Sequence, residues 1–447
     1  MEPGARSLPA WFDDAKLGIF VHWTAAAVPA FAPVTDSPFD LASGGGGWEE
    51  AMRCSPYVEW YQNSVAIEGS PAQQHHREHY GDQPYDTFVE QFLAGHAGWQ
   101  PEPWADLFQA AGARYVVLVT KHHDGVLLWP SATPNPHKDR WASERDLVGE
   151  LAGAVRARDM RFGTYYSGGL DWTFGGLPIP DFRTMLMAIP QSDEYLAYAD
   201  AHWRELVARY QPCVLWNDIG YPAAADLPRL FADYWETVPD GVVNNRFDFM
   251  RQTSGEVHCD FITPEYSTSA PPGGRKWEST RGIGTSFGYN RFEPEASYMT
   301  ATEIVHQLVD VVARGGNLLL NVGPASDGSV PWLQAERLLA AGWWLRTNGV
   351  AVYGSRPWER PEGTTTDGVA VRFTVGADAA LYATLLGVPA SRSFVIADVA
   401  LSPSADVRLL GFDDALRWTA EGDGIRIELP DVPAGSPAPV LRMEPAP

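Results

Sequence analysis

Short apolar runs alternate with segments of helical periodicity along most of the chain. The apolar runs indicate buried strands and cover residues 16–21, 114–120, 161–164, 213–216, 241–243, 259–263 and 317–322. The segment between 193 and 210 places Tyr195, Ala199, Trp203 and Leu206 at helical spacing. Strands that alternate with helices predict a mostly parallel sheet. Each run ends in polar residues, which favours a (β/α)8-like barrel over an open doubly wound sheet.

A different pattern begins near residue 355. Val369, Val371, Phe373 and Val375 alternate with polar or small residues, and the later runs 381–386, 393–397 and 425–429 are short and β-rich. This pattern predicts that a C-terminal antiparallel β-sandwich follows the barrel. We place the boundary so that the two domains are 1–354 and 355–447. The Pro- and Ala-rich tail 433–447 is expected to lie on the surface, and 43–47 to form a flexible loop.

Composition and charge narrow the classes of function. The net charge of −23 argues against nucleic acid and anionic membrane surfaces as partners, because both are polyanions. No apolar run reaches the length of a membrane span, and no signal-peptide pattern stands near Met1, so a cytoplasmic protein is expected. Cys54, Cys213 and Cys259 form no disulfide framework. The 18 Trp and 17 Tyr suit sugar faces but also fill cores. The composition allows a homo-oligomer and does not determine the oligomeric state.

Candidate chemistry gathers at the predicted strand ends, which form the mouth of such a barrel. The apolar run 213–216 delivers Asp218, whose alternative role is to cap the next helix. The same ends supply His22, His122, His123, Asp124, Tyr165, Trp216, Arg246 and Glu265.

A metal site is one alternative for these residues. His122, His123 and Asp124 with Asp218 could be ligands, but their spacing matches no strong metal motif. A second histidine group over residues 75–79 lacks the Glu of H-E-x-x-H and indicates a solvated polar helix. We therefore predict no metal and no cofactor.

Two carboxylates on different strand ends offer another chemistry. Asp218 and Glu265 could hydrolyse a glycosidic bond, one attacking the anomeric carbon and the other protonating the leaving oxygen. Trp60 or Trp216 could then hold a ring face. Glu278 is a further carboxylate, and its structural alternative is an ion pair with Lys276 or Arg275.

Several motifs in order resemble the α-L-fucosidases of glycoside hydrolase family 29. They are WFDDAKLGIFVHW at 11–23, EWY at 59–61, KHHDG at 121–125 with Leu128 and Trp129, YYSGG at 165–169, LWND at 215–218, WESTRGIGTSFGYN at 277–290 and GGNLLLNVGP at 315–324. The resemblance is dense over residues 8–355. It implies a metal-independent, retaining exo-glycosidase that acts on a fucosylated glycan or fucoside, with a (β/α)8-like barrel and a C-terminal β-sandwich.

The resemblance also implies roles for individual residues. Asp218 matches the nucleophile and Glu265 the acid/base, with Glu278 as the alternative acid/base. Positions that match fucose-holding residues are His22, Glu59, Trp60, His122, His123, Tyr165, Trp216 and Arg246. The C6 methyl group requires an apolar corner, for which Phe31, Phe287 and Trp216 are candidates.

Two departures from the family pattern, Thr24 and Val126, lie beside the predicted site. The alternatives are a related retaining glycosidase with altered sugar preference and a non-catalytic sugar-binding protein.

Overall fold

The computed structural model describes residues 6–432 and 435–446. Its strands are β1 Leu17–Val21, β2 Tyr115–Lys121, β3 Arg161–Tyr166, β4 Val214–Asn217, β5 Val242–Val243, β6 Trp277–Gly282, β7 Gly316–Val322, β8 Arg356–Thr364, β9 Ala370–Val375, β10 Leu381–Leu385, β11 Ser393–Ile396, β12 Asp406–Leu409, β13 Arg417–Glu421, β14 Gly424–Glu428 and β15 Val440–Glu444. The α-helices are α1 Ala10–Ala15, α2 Pro38–Leu41, α3 Gly47–Arg53, α4 Tyr61–Ala66, α5 Pro71–Tyr80, α6 Tyr85–Gly95, α7 Glu102–Ala110, α8 Leu147–Arg156, α9 Phe182–Met187, α10 Asp193–Tyr210, α11 Leu227–Thr237, α12 Phe249–Ser254, α13 Ala301–Ala313 and α14 Trp332–Asn348.

The first seven strands form one parallel sheet in the order β5-β4-β3-β2-β1-β7-β6. In its centre Ile19 of β1 stands opposite Val116 of β2 and Leu320 of β7. All residues of these three strands are buried, because helices cover the outer face and side chains fill the inside. The parallel sheet with its helices confirms the predicted fold class for this part of the chain.

The predicted strand at 259–263 links the two edges of this sheet. Phe261 bridges Asn244 just beyond β5, and Ile262 bridges Trp277 in β6. The amide of Ile262 donates to the carbonyl of Lys276 at 3.0 Å, and that of Glu278 donates to Ile262 at 2.8 Å. This short segment therefore occupies the eighth position of the barrel.

Strand β6 is absent from the sequence prediction. Its residues Glu278, Ser279, Thr280 and Arg281 are polar, so it lacks the apolar run that indicates a buried strand. The strand is nonetheless almost entirely buried. Glu278 accepts hydrogen bonds from Tyr115 and Trp216, and the Ser279 hydroxyl donates to the Ser267 carbonyl. A buried polar strand near a barrel mouth is a place where chemistry is expected.

The C-terminal part has a five-stranded sheet, β12-β15-β10-β9-β8, and a three-stranded sheet, β11-β14-β13. Pairing within both sheets is antiparallel, and a hydrophobic core contains residues of both, among them Phe373, Leu381, Phe394 and Ile427. The predicted sandwich is thereby confirmed. Helix α14 ends at Asn348 and β8 begins at Arg356, while the division at 354/355 stays a prediction.

The tail expected on the surface and the loop expected at 43–47 both contain regular structure. The tail contributes β15, which pairs with both β10 and β12 and buries Leu441 and Met443. The Pro- and Ala-rich composition hid this short apolar strand, and positions 433, 434 and 447 of the tail lie outside the described residues. The stretch 43–47 belongs to a wide helical turn over Ala42–Gly46, interrupted at Gly45 with φ 102°, and leads into α3. No helix in the described ranges is long and apolar enough to cross a membrane.

Candidate active site

The carboxyl ends of the barrel strands bring the predicted residues to one mouth. Asp218 follows β4 directly, Tyr165 lies near the end of β3, and His22 follows β1. Arg246 comes after β5 and Glu265 after the bridging segment. The remaining contributors are His122 and His123 after β2, Glu59 and Trp60 in the helical turn Val58–Trp60, and Phe287 after β6.

Asp218 is held by three hydrogen-bond donors. The hydroxyl of Tyr165 donates to Oδ2 at 3.0 Å, while Oδ1 accepts from Arg246 Nη1 at 2.9 Å and from the Ile219 amide at 2.9 Å. Burial alone would raise the pKa of Asp218, but the charge of Arg246, together with the hydrogen bonds from Arg246 and Tyr165, holds it below its usual value. The carboxylate is therefore ionised at neutral pH and fixed in orientation.

One guanidinium nitrogen serves both predicted catalytic carboxylates. Arg246 Nη1 lies 2.9 Å from Asp218 Oδ1 and 2.6 Å from Glu265 Oε1. The rest of the guanidinium is anchored by Thr263, whose Oγ1 accepts from Nε at 2.7 Å and whose carbonyl accepts from Nη2 at 2.9 Å. Its Cζ lies 4.8 Å from the Trp216 ring centroid. Burial opposes the charge of Arg246, but Glu265 and Asp218 raise its pKa, so it remains a cation.

A tight turn aims Asp218 into the mouth. Ile219 adopts φ 63° and Gly220 φ 126°, in the left-handed region that branched residues rarely enter. The amide of Gly169 donates to the carbonyl of Asp218 at 3.0 Å. Tyr266, the neighbour of Glu265, also has a positive φ of 50°. Such conformations persist where the surrounding structure enforces them, and they gather at functional sites.

His22 is locked in one tautomer by Asn321. The amide nitrogen of Asn321 donates to the carbonyl of Phe287 at 2.7 Å, so its oxygen faces His22 Nδ1 at 2.6 Å. That nitrogen must carry the proton, which leaves Nε2 with a free lone pair. Burial lowers the pKa of His22 to about 4, so the ring is neutral. The ring centroid of Phe287 lies 5.0 Å from that of His22.

His123 is fixed in the same way by Ser167. The Ser167 hydroxyl donates to the Leu170 carbonyl at 2.7 Å, so its oxygen accepts from His123 Nδ1 at 2.6 Å. Burial lowers the pKa of His123 to about 3 and that of His122 well below its ordinary value. The mouth thus holds three neutral imidazoles, which suit hydroxyl groups better than anions.

Glu59 is a third carboxylate at this mouth, after Asp218 and Glu265, and its side chain is buried. Its Oε2 accepts from the Gly288 amide at 2.8 Å. Burial raises the pKa of Glu59 to about 7, although the Gly288 amide opposes this shift. The Trp60 ring lies edge-on to His123 at 5.0 Å between centroids.

The candidates for the apolar corner lie in different places. Phe287 contacts His22, and Tyr266 lies 5.7 Å from Phe287 between ring centroids. Phe31 stacks on His75 at 3.7 Å and belongs to a separate aromatic cluster with Phe292. The two departures from the family pattern, Thr24 and Val126, are both buried. Thr24 precedes the short helical turn Ala25–Ala27, and Val126 belongs to the large hydrophobic cluster that joins the sheet and its helices.

Glu278 lies inside the barrel and is fully buried. Its Oε1 accepts from Trp216 Nε1 at 3.1 Å, and the Tyr115 hydroxyl donates to Oε2. Burial raises the pKa of Glu278 to about 7. The expected ion pair is not formed, because Lys276 pairs with Asp13 at 2.8 Å and Arg275 donates to the Gln252 carbonyl.

The histidines give no metal cluster. Across residues 6–432 and 435–446, no group of three or more His, Cys, Asp or Glu side chains is arranged to hold a metal ion. The helix around residue 75 was expected to be solvated. This is correct for His79, which is exposed, but not for the whole helix. His76 on the same helix is buried and bonded to the Tyr61 hydroxyl at 2.9 Å, because its ring faces the neighbouring helix α4.

Three residues that hold this site were missed from the sequence. Asn321 and Ser167 orient the imidazoles, and Thr263 anchors Arg246. Asn321 and Ser167 lie inside motifs that carry the family resemblance, which was the only available signal. Thr263 is the last residue of an apolar run, and nothing else in the sequence indicates that it anchors Arg246.

Comparisons with known proteins agree with this geometry. The family described as "Alpha-L-fucosidase" matches residues 2–350, and "Alpha-L-fucosidase C-terminal domain" matches residues 364–444. Tissue alpha-L-fucosidase of Rattus norvegicus is 33% identical over 97% of this chain and 88% of its own length. The alpha-fucosidase of Thermotoga maritima is 41% identical, and two solved structures of it each cover 98% of this chain and 97% of their own.

Those two structures hold a mechanism-based inhibitor, with a TM-score of 0.86, and fucose, with a TM-score of 0.85. The family matches together span both the barrel and the sandwich. This chain therefore belongs to the α-L-fucosidases of glycoside hydrolase family 29.

Proposed function

We propose that this chain is a retaining, exo-acting α-L-fucosidase that hydrolyses terminal α-L-fucosyl linkages by double displacement. The observation that carries the proposal is the single Arg246 nitrogen 2.9 Å from Asp218 and 2.6 Å from Glu265. The two carboxylate oxygens can be no further apart than the sum of these distances. Retaining glycosidases hold their carboxyl groups about 5–5.5 Å apart, and inverting ones about 6.5–9.5 Å.

In the first step Asp218 attacks the anomeric carbon and the bond to the leaving oxygen breaks. Glu265 gives its proton to that oxygen, so the aglycone leaves as a neutral alcohol. The lowered pKa of Asp218, which Arg246 maintains against the effect of burial, keeps the nucleophile charged. Tyr165 and the Ile219 amide hold its two oxygens in place.

In the second step Glu265 takes a proton from water, and the water oxygen replaces Asp218 at the anomeric carbon. Once Asp218 is esterified it carries no charge, so Arg246 is left with Glu265 as its single carboxylate partner. The guanidinium therefore stays beside Glu265 through both steps.

The sugar is held by groups matched to a neutral ligand. The Nε2 atoms of His22 and His123 accept hydrogen bonds from sugar hydroxyl groups, and Glu59 adds a charged or neutral carboxyl group depending on pH. Trp60 offers a ring face, while Phe287 provides the apolar surface for the C6 methyl group of fucose. The fucose-bound structure of the Thermotoga maritima relative supports a fucosylated substrate here.

The choice between Glu265 and Glu278 as acid/base can be tested by leaving-group dependence. Glu265→Ala should lose about 10²–10⁴-fold in kcat/KM on a fucosyl disaccharide, because that leaving group needs a proton. Its loss should be far smaller with 2,4-dinitrophenyl fucoside, and the alkaline limb of its pH profile should vanish.

Glu278→Ala is the matched comparison. It removes a carboxyl group bonded to Tyr115 and Trp216, so we expect similar losses for all leaving groups. Glu278→Gln should recover part of them by restoring the shape. Leaving-group dependence in Glu278→Ala rather than Glu265→Ala would transfer the acid/base role to Glu278.

A further inference from the structure

One face of α14 exposes large apolar side chains. Trp332 is 73% exposed, Leu339 47%, Trp343 65% and Val350, in the turn after the helix, 54%. Their spacings of seven, four and seven residues place them on one stripe of the helix. The opposite face of α14 is buried, and Trp344 there donates to the Ala438 carbonyl at 2.7 Å. A contiguous exposed apolar stripe of this kind marks an interaction surface.

The stripe is symmetric about Ala341. Trp332 and Val350 lie nine residues to either side, and Leu339 and Trp343 lie two residues to either side. Glu336 and Arg346, five residues to either side, have opposite charges. If a second α14 runs antiparallel across the first, a twofold axis at the height of Ala341 along the helix brings each residue level with its counterpart. Apolar side chains then meet apolar ones, and Glu336 meets Arg346 twice, as an isologous interface requires.

The charges on the stripe are available for such pairing. Within the described part of the chain Arg346 has no ion-pair partner. Glu336 pairs with Arg337, its neighbour in sequence, and Arg337 is also held by Glu295 at 3.0 Å. Arg337 is thus already neutralised by two acidic groups, so Glu336 can turn to a cation on another molecule.

A cavity adjoins the C-terminal end of the stripe. It measures about 830 Å³ and its lining includes Leu345, Arg346, Gly349, Val350 and Tyr353. The twofold pairing places Trp332 of the second copy level with Val350, at the rim of this cavity. Arginine beside an apolar wall is the kind of pocket that receives a tryptophan anchor in stable interfaces.

The sandwich extends the same surface. Gly411 packs against α14 so closely that a Cβ there would stand 3.1 Å from Cγ2 of Thr347. Its neighbour Phe412 is 38% exposed and adds apolar area next to the contact of Gly411 with α14. A helix alone is small for a stable dimer, which buries about 1,200–2,000 Å² in total, so this additional rim matters.

We propose that two copies of this chain form an isologous dimer through α14, with Trp332 of each copy entering the cavity beside Val350 of the other. The occupant is a second copy because the twofold pairing sets the apolar residues of the stripe opposite apolar ones and Glu336 level with Arg346. The interface lies on the exposed face of α14, uses no residue of the mouth, and does not depend on the proposed function.

Sedimentation velocity over a concentration series of the full chain tests this proposal. The wild-type chain should show a monomer–dimer equilibrium. Trp343→Glu, and separately Trp332→Ala, should raise the dimer dissociation constant at least about 30-fold, as for a hot-spot residue. Val388→Lys, at an exposed apolar position of the sandwich, is the matched control and should leave the constant unchanged.

Reversing the charges of Glu336 and Arg346 tests whether these two residues pair across the interface. Glu336→Arg and Arg346→Glu should each weaken the dimer, whereas the double variant should recover it because both cross-pairs are restored. Thermal unfolding and fucoside hydrolysis verify that each variant is folded. A wild-type chain that stays monomeric, a dimer indifferent to Trp343→Glu and Trp332→Ala, or a double charge variant no stronger than the single ones would overturn the proposal.

Discussion

Arg246 is the residue on which the arrangement of the mouth depends. Its guanidinium is anchored by Thr263 and reaches both Asp218 and Glu265 through one nitrogen. A lysine could not reproduce this, because its single ammonium lacks the fixed fork that bonds Thr263 and the carboxylates together. The cation thereby fixes the spacing of the two acids and lowers the pKa of Asp218.

The tautomer of His22 is set by Asn321, which leads to a prediction for the sugar-binding side. Asn321→Ala removes the acceptor at Nδ1, so the proton can move to Nε2 and the hydroxyl acceptor is lost. We expect kcat/KM to fall roughly 5- to 150-fold, the equivalent of about 1–3 kcal/mol for one unmade hydrogen bond. Nitrogen shifts of 15N-labelled histidine, assigned with His22→Gln, report the tautomer directly.

Asn321→Asp separates this role from a purely structural one. The new carboxylate keeps an acceptor at Nδ1 but raises the pKa of His22 from about 4, so the ring is charged at low pH. Activity should therefore recover as pH rises through the new pKa, whereas Asn321→Ala should show no such recovery. Unchanged histidine shifts in Asn321→Ala would contradict the tautomer argument.

The sequence located the residues of the mouth better than those that hold them. His22, Asp218 and Glu265 follow apolar runs, and a barrel brings such strand ends together. Asn321, Ser167 and Thr263 act by hydrogen bonds between neighbouring strands and loops, and no periodicity along the chain encodes those partners. For the same reason the sequence suggested an ion pair of Glu278 with Lys276 or Arg275 that is not formed. Its hydrogen-bond partners, Tyr115 and Trp216, come from other strands.

At the scale of elements, the turn after β4 is wedged against the loop after β3. A Cβ on Gly169 would stand 2.7 Å from the Gly220 nitrogen and 2.9 Å from the Asp218 carbonyl. Gly169→Ala should therefore displace Asp218 and lower kcat by roughly 10²-fold, the effect of a misplaced reacting group. It should also lower the free energy of unfolding by about 1–3 kcal/mol.

Gly153→Ala in α8 is the matched control, because a Cβ there has no neighbour within 4 Å. It should leave kcat unchanged and slightly stabilise the helix. Steady-state kinetics and chemical unfolding of both variants measure the two effects. Wild-type kcat in Gly169→Ala would show that the turn yields without moving Asp218.

Elements were predictable where the hydrophobic pattern was strong. Strands β1, β2, β4 and β7 are apolar runs and lie close to their expected positions. Strand β6 escaped because its buried side chains are polar, and β15 because a five-residue strand follows a Pro- and Ala-rich stretch. In both cases burial is decided by partners in the folded chain rather than by local composition.

At the scale of the molecule, the site lies on a barrel in which one strand position is only weakly paired with its neighbours. The segment through Phe261 and Ile262 closes the ring by isolated bridges and ends in Glu265. The sequence predicted both the barrel and the sandwich, yet it did not distinguish the exposed stripe of α14 from a buried one. Trp332, Leu339 and Trp343 match a core pattern equally well, because periodicity identifies an apolar face without identifying what covers it.

Asp218 as the nucleophile of a retaining reaction requires a covalent glycosyl-enzyme on that residue. Incubation with 2-deoxy-2-fluoro-α-L-fucosyl fluoride tests it most directly, because the fluorine at C2 slows breakdown of the glycosyl-enzyme while fluoride leaves readily. Intact mass spectrometry and peptide mapping then identify the modified residue. We predict one 2-deoxy-2-fluorofucosyl adduct per chain, on the peptide that contains Asp218, and return of activity as the adduct hydrolyses. An adduct on Glu59, Glu265 or Glu278, or no adduct together with β-L-fucose as the first product, would contradict the account.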